Sequence, residues 1–303
     1  MKSKSFDIYN FYCAGEVFQT EGNTSYLGLI EITLPGIGEA KIEIERKYLN
    51  TPKEKDCRKT GLLTILLNDE VSEDHTSIAN DLCSLLSFAL NGHVEYRECI
   101  AESSWFKSSG MISHGGWREI IISRFGENIR HFIESCWELY RQEKDRRRLF
   151  ETIRLLTQIN ETKDFIEQKI ALTSVMLENL KHTYASGNEN YKRDGHQFYY
   201  KPKRKGDDSL SFRQLLTDMI EEVNMPEDFK FDLSKTIKNR NKIIHQGLLG
   251  CSFDVMWEQY EDMISFIRVY LLSLLNFKGH YYSFDQPNVV KSMDVEPFYL
   301  KDR

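Results

Sequence analysis

The chain lacks the marks of several large protein classes. Its 303 residues include six scattered cysteines (Cys13, Cys57, Cys83, Cys99, Cys136 and Cys251), with no Cys-x-x-Cys pair and no His/Cys spacing of a zinc site. That argues against a disulfide framework and for reduced thiols in a cytoplasmic protein. No run of about 18 uninterrupted apolar residues, the length needed to span a bilayer, is present. The nearest, Met263–Phe277, is interrupted by Arg268, so no membrane partner is expected. Met1–Asp7 has no apolar stretch of the kind a secretory signal carries. There is no G-x-S-x-G elbow, no phosphate loop, no HExxH and no paired-carboxylate metal pattern, and neither a metal nor a cofactor is expected. Nor is there a general excess of positive charge. The formal net charge is −6, which argues against a basic nucleic-acid coat while leaving room for a local basic cleft.

What is present divides into a β-rich first part and a helical second part. The 41% hydrophobic content is enough for a real core. Tyr26–Leu34 is a strand candidate, Pro35-Gly36-Ile37-Gly38 is turn chemistry, and Ala40, Ile42 and Ile44 alternate with Lys41, Glu43 and Glu45. This is the pattern of an antiparallel hairpin with one wet face. Leu62–Leu67 reads as a further strand. Residues 77–90 change to helical period through Ile78, Leu82, Leu85, Leu86 and Ala89, and Asn91-Gly92 ends the helix. Residues 93–103 return to alternation, 107–118 read as a loop and 119–124 as a short strand. From about Gly126 the pattern is helical, with Ile129, Phe132, Ile133, Cys136, Trp137 and Tyr140 on one stripe. The run Lys144–Arg148 reads as a charged break. Further helices are expected from Leu149, over 162–183, after the capping box Ser211…Gln214, over about 232–246, and over Met256–Leu274.

The expected architecture is therefore an α+β N-terminal domain over 1–144, mostly antiparallel β with one or two helices. An all-α helical bundle follows over 145–280, then an irregular tail over 281–303.

Within the bundle, residues 232–249 hold the densest set of candidate chemical groups. Leu233, Ile237 and Ile244 share a helical stripe, and Gly247 is a plausible stop. His245 then falls at a helix C-terminus, where the partial negative charge favours imidazolium. Asn241 and His245 are four apart and share a face. Arg240 and His245 are separated by about 140° on an ideal helix. They converge on one ligand only if the helix end distorts or a second copy of the helix completes the site.

The string Arg240-Asn241-Lys242-Ile243-Ile244-His245, followed by Gln246-Gly247, at the end of a helix between two amphipathic helices, resembles the R-[polar]-x3-H motif of the HEPN superfamily, and within it the ApeA-like branch. The resemblance covers about residues 145–275. It implies a HEPN-like bundle and an endoribonuclease that works without a metal as a homodimer and leaves 2′,3′-cyclic phosphate ends. Arg240, Asn241 and His245 would be its catalytic residues. It also implies RNA, tRNA included, as substrate, and a conditional antiviral or toxin role in which the N-terminal domain responds to a phage-derived or nucleotide trigger. The alternative is a non-catalytic HEPN-like bundle that binds nucleotide or RNA, or that dimerises as a scaffold.

Independently of the resemblance, an imidazole and a guanidinium suit RNA cleavage. The ribose 2′-OH must lose a proton, the leaving 5′-oxygen must gain one, and the charge building on phosphorus must be stabilised. Arg240 can hold phosphate oxygens bidentately, while Asn241 can orient phosphate or imidazole. Glu178, on an otherwise apolar helix, is a candidate partner for Arg240; read plainly, it is a solvated helix position. Residues 191–205 hold six Lys/Arg against one Asp, with aromatics interleaved. Lys192, Arg193, Tyr199, Tyr200, Lys201, Lys203, Arg204 and Lys205 are thus candidate RNA-binding residues, cations for phosphates and rings for bases. The plain reading is a basic surface loop or exposed hairpin. His93 and His131 read as packing or surface residues.

Overall fold

The computed structural model describes residues 2–21, 24–48, 58–98, 119–161, 165–202, 207–246, 250–284, 286 and 289–293. The chain divides into two compact units. The first comprises Met1–Glu138, Leu156–Thr162 and Lys278–Arg303, and the second Leu139–Leu155 and Lys163–Phe277.

The first unit is built on a six-stranded antiparallel sheet. Its strands are β1 (Lys2–Tyr9), β2 (Val17–Glu21), β3 (Thr24–Leu34), β4 (Gly38–Ile44), β5 (Lys59–Leu67) and β6 (Glu95–Glu98), in the spatial order β2-β3-β4-β5-β1-β6. The expected hairpin is β3–β4. Ile37 N–H donates to Leu34 O at 2.9 Å, and Gly36 takes φ +73° at the third position of the Leu34–Ile37 turn, a requirement of a type II turn after Pro35. The two-residue alternation places one apolar row across four strands. Ile30 pairs with Ile42, Ile42 with Leu63, and Leu63 with Phe6, all of them buried. Each such side chain contributes about 1.5–3 kcal/mol. Glu31, Glu39 and Glu43 point the other way and are exposed.

Helix α1 (His75–Leu90) packs on β5 and β6. It ends at Asn91 in the left-handed region, φ 50°, with Gly92 N–H donating to Ser87 O at 3.1 Å. This is the expected stop, made by Asn because its short amide tolerates that conformation. Residues 99–118, including the expected loop and the end of the β6 candidate, lie outside the described residues. The short strand expected over 119–124 is reduced to a single bridge from Ile121 to Tyr281.

Two expectations are corrected. The tail is not irregular throughout. β9 (Gly279–Tyr282) and β10 (Val290–Met293) form an antiparallel pair, and the tail belongs to the first unit. The strands are four residues each, too short for alternation to stand out in the sequence. The second correction concerns Lys144–Arg148. Helix α2 (Gly126–Arg147) runs through that segment and breaks only at Arg148, φ 51°. Arg147 is 1% exposed, held by the carboxylates of Glu143 and Glu222 over the ring of Tyr184. Of the charges in that segment, Arg147 is drawn into a buried ion pair network, while Asp145, Arg146 and Arg148 stay exposed.

The second unit is mainly helical: the end of α2, the start of α3 (Leu149–Glu161), α4 (Ile166–Gly187), α5 (Phe212–Glu221), α6 (Leu233–Gln246) and α7 (Phe253–Leu274). α4 and α7 pack along one another, burying Ile170, Leu177 and Leu180 on one and Met263, Ile264, Ile267 and Leu271 on the other. Between α4 and α5 the chain forms a hairpin, β7 (Tyr191–Asp194) and β8 (Gln197–Tyr200), with Gly195 at φ 61° in its two-residue loop. Among the described residues no helix is long and apolar enough to cross a membrane.

Candidate functional site on the helical unit

Helix α6 begins at Asp232, whose carboxylate accepts from Lys235 N–H at 2.9 Å, a standard N-terminal cap. Its buried stripe differs from the expected one. Thr236 and Ile243 are buried and Leu233 and Ile237 only half-buried. The inward face thus runs 236–240–243, at i, i+4 and i+7, and Arg240 lies in the middle of it.

Arg240 is 19% exposed and touches three helices. Its Nη2 donates to Glu178 Oε1 of α4, Nη1 donates to Asn241 Oδ1 at 2.7 Å, and its guanidinium carbon stands 4.9 Å from the ring centre of Phe212 at the start of α5. Phe212 is held there by the expected capping box: Gln214 N–H donates to Ser211 Oγ at 3.2 Å, and Ser211 N–H to Gln214 Oε1 at 2.9 Å. The other oxygen of Glu178 accepts from Lys181 Nζ at 2.8 Å, and Lys181 in turn lies 5.1 Å from the Phe212 ring. Two cations therefore share one carboxylate and one aromatic ring, leaving a local excess of positive charge. Arg240 Nε is buried with no acceptor among the described residues; an orphaned donor of this kind costs about 1–3 kcal/mol.

The expected residues thus separate into groups. Arg240, Asn241 and Glu178 are brought together. His245 is in the last turn of α6, but its side chain, like those of Ile244 and Gln246, lies outside the described residues, as does Gly247. Lys181 and Phe212 were not foreseen. The available signals were the i, i+3 spacing of Glu178 and Lys181 and the capping box that positions Phe212.

The basic segment divides in the same way. Lys192, Arg193 and Lys201 are exposed. Lys203, Arg204 and Lys205 lie outside the described residues. Tyr199 is corrected: it is buried and its hydroxyl donates to Gln197 Oε1 at 2.7 Å, so its ring is not offered to a base. Tyr200 stays 50% exposed. Its hydroxyl donates to Asp218 Oδ2 of α5 at 2.9 Å, beside Tyr191, which donates to the same oxygen at 2.7 Å. Burial first, then these neighbours, raise the Tyr191 and Tyr200 phenols above their ordinary range. The hairpin is thus clamped to α5 by two tyrosines on one carboxylate. His93 and His131 do not join this set. His93 Nε2 lies 3.9 Å from Glu95, and His131 Nε2 lies 2.6 Å from Lys278 O.

No family model, no curated protein and no solved structure matches this chain.

Proposed function

We propose that the helical unit is an endoribonuclease of HEPN type that cleaves RNA without a metal, as a homodimer. The observation that carries this is the state of Arg240. Its guanidinium is aimed by Glu178, Asn241 and Phe212, retains an unsatisfied Nε, and lies five residues before His245 on the same helix. The exposed Asn241 amide can give up its place on Nη1 to a phosphate oxygen at little cost, because water satisfies the released amide.

In the proposed reaction one imidazole removes the proton of the ribose 2′-OH. The O2′–P bond forms as the P–O5′ bond breaks. A second imidazole, His245 of the other copy, returns a proton to O5′. The products are a 2′,3′-cyclic phosphate and a 5′-hydroxyl, with no net change in protons. Arg240 stabilises the additional charge on the non-bridging oxygens; removal of such a donor costs about 10²–10³ in rate. The first unit would act as the module that responds to a phage-derived or nucleotide trigger, making the whole a conditional antiviral or toxin effector.

The Glu178 contact also favours a second reading. An Arg240 fully held by a carboxylate and a ring is a structural tie in a non-catalytic bundle that binds RNA or dimerises. The test is incubation of wild type and His245→Ala with total tRNA and a mixed single-stranded RNA in EDTA, followed by end-group analysis. The ribonuclease reading expects cyclic-phosphate ends from wild type alone, and a loss of at least a hundredfold in Arg240→Ala and His245→Ala. Equal cleavage by wild type and His245→Ala sinks it.

A further inference from the structure

The α4-facing side of the β7–β8 hairpin carries a further cation, Arg193, to the part of α4 that holds the Arg240 site, a placement not visible from the basic run alone. In the hairpin register Arg193 pairs with Phe198 and Tyr191 with Tyr200, so these four side chains share one face. Phe198 meets His182 of α4 edge-on, with ring centres 5.4 Å apart. Tyr191 reaches Tyr184 of α4 at 3.1 Å between hydroxyls. His182 follows Lys181 and lies four residues after Glu178, hence one helical turn from the carboxylate that holds Arg240.

The environment of His182 is positive. Burial lowers its imidazole below the ordinary value, and the charges of Arg193, Lys181 and Arg148 lower it further, against the opposing pull of Glu178. Glu178 is already shared between Arg240 and Lys181. Arg148 and Arg193 are exposed, and among the described residues neither enters an ion pair. Among the described residues Arg193 donates through Nε alone, to Gly195 O at 3.0 Å.

We propose that this surface, formed by Arg148, Lys181 and Arg193 around His182, binds the phosphates of a single-stranded RNA next to the Arg240 site, with the Tyr200 ring stacking on a base. The placement of the strand beside Arg240 rests on the ribonuclease reading; the phosphate site stands on the cations themselves. A ring that is half-exposed and anchored through its hydroxyl to Asp218 loses little freedom when a base covers it. Single strands, unlike duplexes, have unpaired faces to offer such a ring.

The test uses the full chain and a fluorescein-labelled 2′-O-methyl oligouridine of eight nucleotides. That probe has no 2′-OH and so reads binding without cleavage. Fluorescence anisotropy is followed across a salt series. Three phosphate contacts on a single strand predict a slope of log affinity against log salt of about −2. Arg148→Glu with Arg193→Glu should weaken binding by at least tenfold and flatten the slope towards about −0.7. Both residues are exposed and, among the described residues, enter no ion pair, so the fold should tolerate the change. Tyr200→Leu should cost about tenfold and Tyr200→Phe much less.

A wild type that does not bind, a slope flatter than about −1, or a double variant that binds like wild type overturns the site. Equal affinity for an RNA duplex overturns the single-strand assignment. Binding that follows this pattern in a protein that never cleaves 2′-OH RNA overturns the ribonuclease reading and leaves the phosphate site standing. Cleavage by a double variant at full rate and full affinity overturns this site alone.

Discussion

The interiors of the two units are made of different materials. In the first, the sheet buries a continuous aliphatic and aromatic row, Ile30, Ile42, Leu63 and Phe6, and the Lys41–Glu31 pair stays at the surface; the polar side chains inside are mainly uncharged, Asn10, Thr60 and Asn91 among them, with Asp81 an exception. In the second, charged and hydroxyl groups are drawn inside. Arg147 is buried between Glu143 and Glu222, Arg240 is mostly covered beside Glu178, and the buried Tyr191 reaches both Tyr184 and Asp218, an acceptor it shares with the half-exposed Tyr200. A hydrocarbon interior is stabilised by area removed from water and has no charge for pH to titrate or for modest ionic strength to screen. A polar interior depends on every member keeping its partner. The first design suits a rigid platform. The second fits a unit whose candidate chemistry requires fixed charges at low dielectric.

The sharpest way to break this contrast is to strip the partners from a buried charge. Glu143→Gln with Glu222→Gln leaves the Arg147 guanidinium buried, and arginine cannot discharge itself; the expected loss is about 3–5 kcal/mol in urea melts. Arg147→Leu should cost less, because Glu143 keeps its bond to Arg146 at 2.6 Å and an apolar side chain of similar volume can replace a buried ion pair with little loss. Ile42→Ala in the sheet should cost about 2–5 kcal/mol, by the same amount at low and high salt. If all three changes have equal cost, or if the Ile42 loss varies with salt, the contrast fails.

A smaller effect is expected at the hairpin clamp. Asp218→Asn replaces a charged acceptor shared by Tyr191 and Tyr200 with a neutral one, a loss of about 1–3 kcal/mol. It should appear as faster amide exchange over 191–200 before any change in the sheet. Uniform exchange changes across both units would contradict local clamping.

The smallest effect is on pH dependence. His182 has a folded value below its unfolded one, so between those values the unfolded chain binds the extra proton. Its contribution is then fully present above the unfolded value and declines as pH falls through it towards the folded one. His182→Gln should flatten stability against pH in that window. An unchanged profile would mean that the imidazole is not held neutral by its surroundings.

Much of the fold was legible because it follows local periodicity. The β3–β4 hairpin, the Asn91 stop, the capping box at Ser211 and the order of the helices all depend on residues close together in the chain. The candidate site was legible in part. Arg240, Asn241 and Glu178 could be named, since a motif and an out-of-place carboxylate are sequence features. Lys181 and Phe212 could not, because their meeting depends on how α4, α5 and α6 pack. Arg147 and Tyr199 were misread for the same reason. A charged run suggests water and an aromatic among lysines suggests an exposed ring, until a distant Glu222 or a covering layer of chain removes each from solvent.

By itself, then, the sequence determined the division into a β-rich and a helical part, the main turns and caps, and the presence of an arginine–histidine helix. These depend on side-chain period and on backbone preferences that act over a few residues. Only the tertiary structure decided which charges are buried, which carboxylate holds Arg240, and which side of the hairpin faces α4. Those outcomes depend on groups tens of residues apart in the chain, whose electrostatic interaction becomes strong only once folding has excluded the water between them.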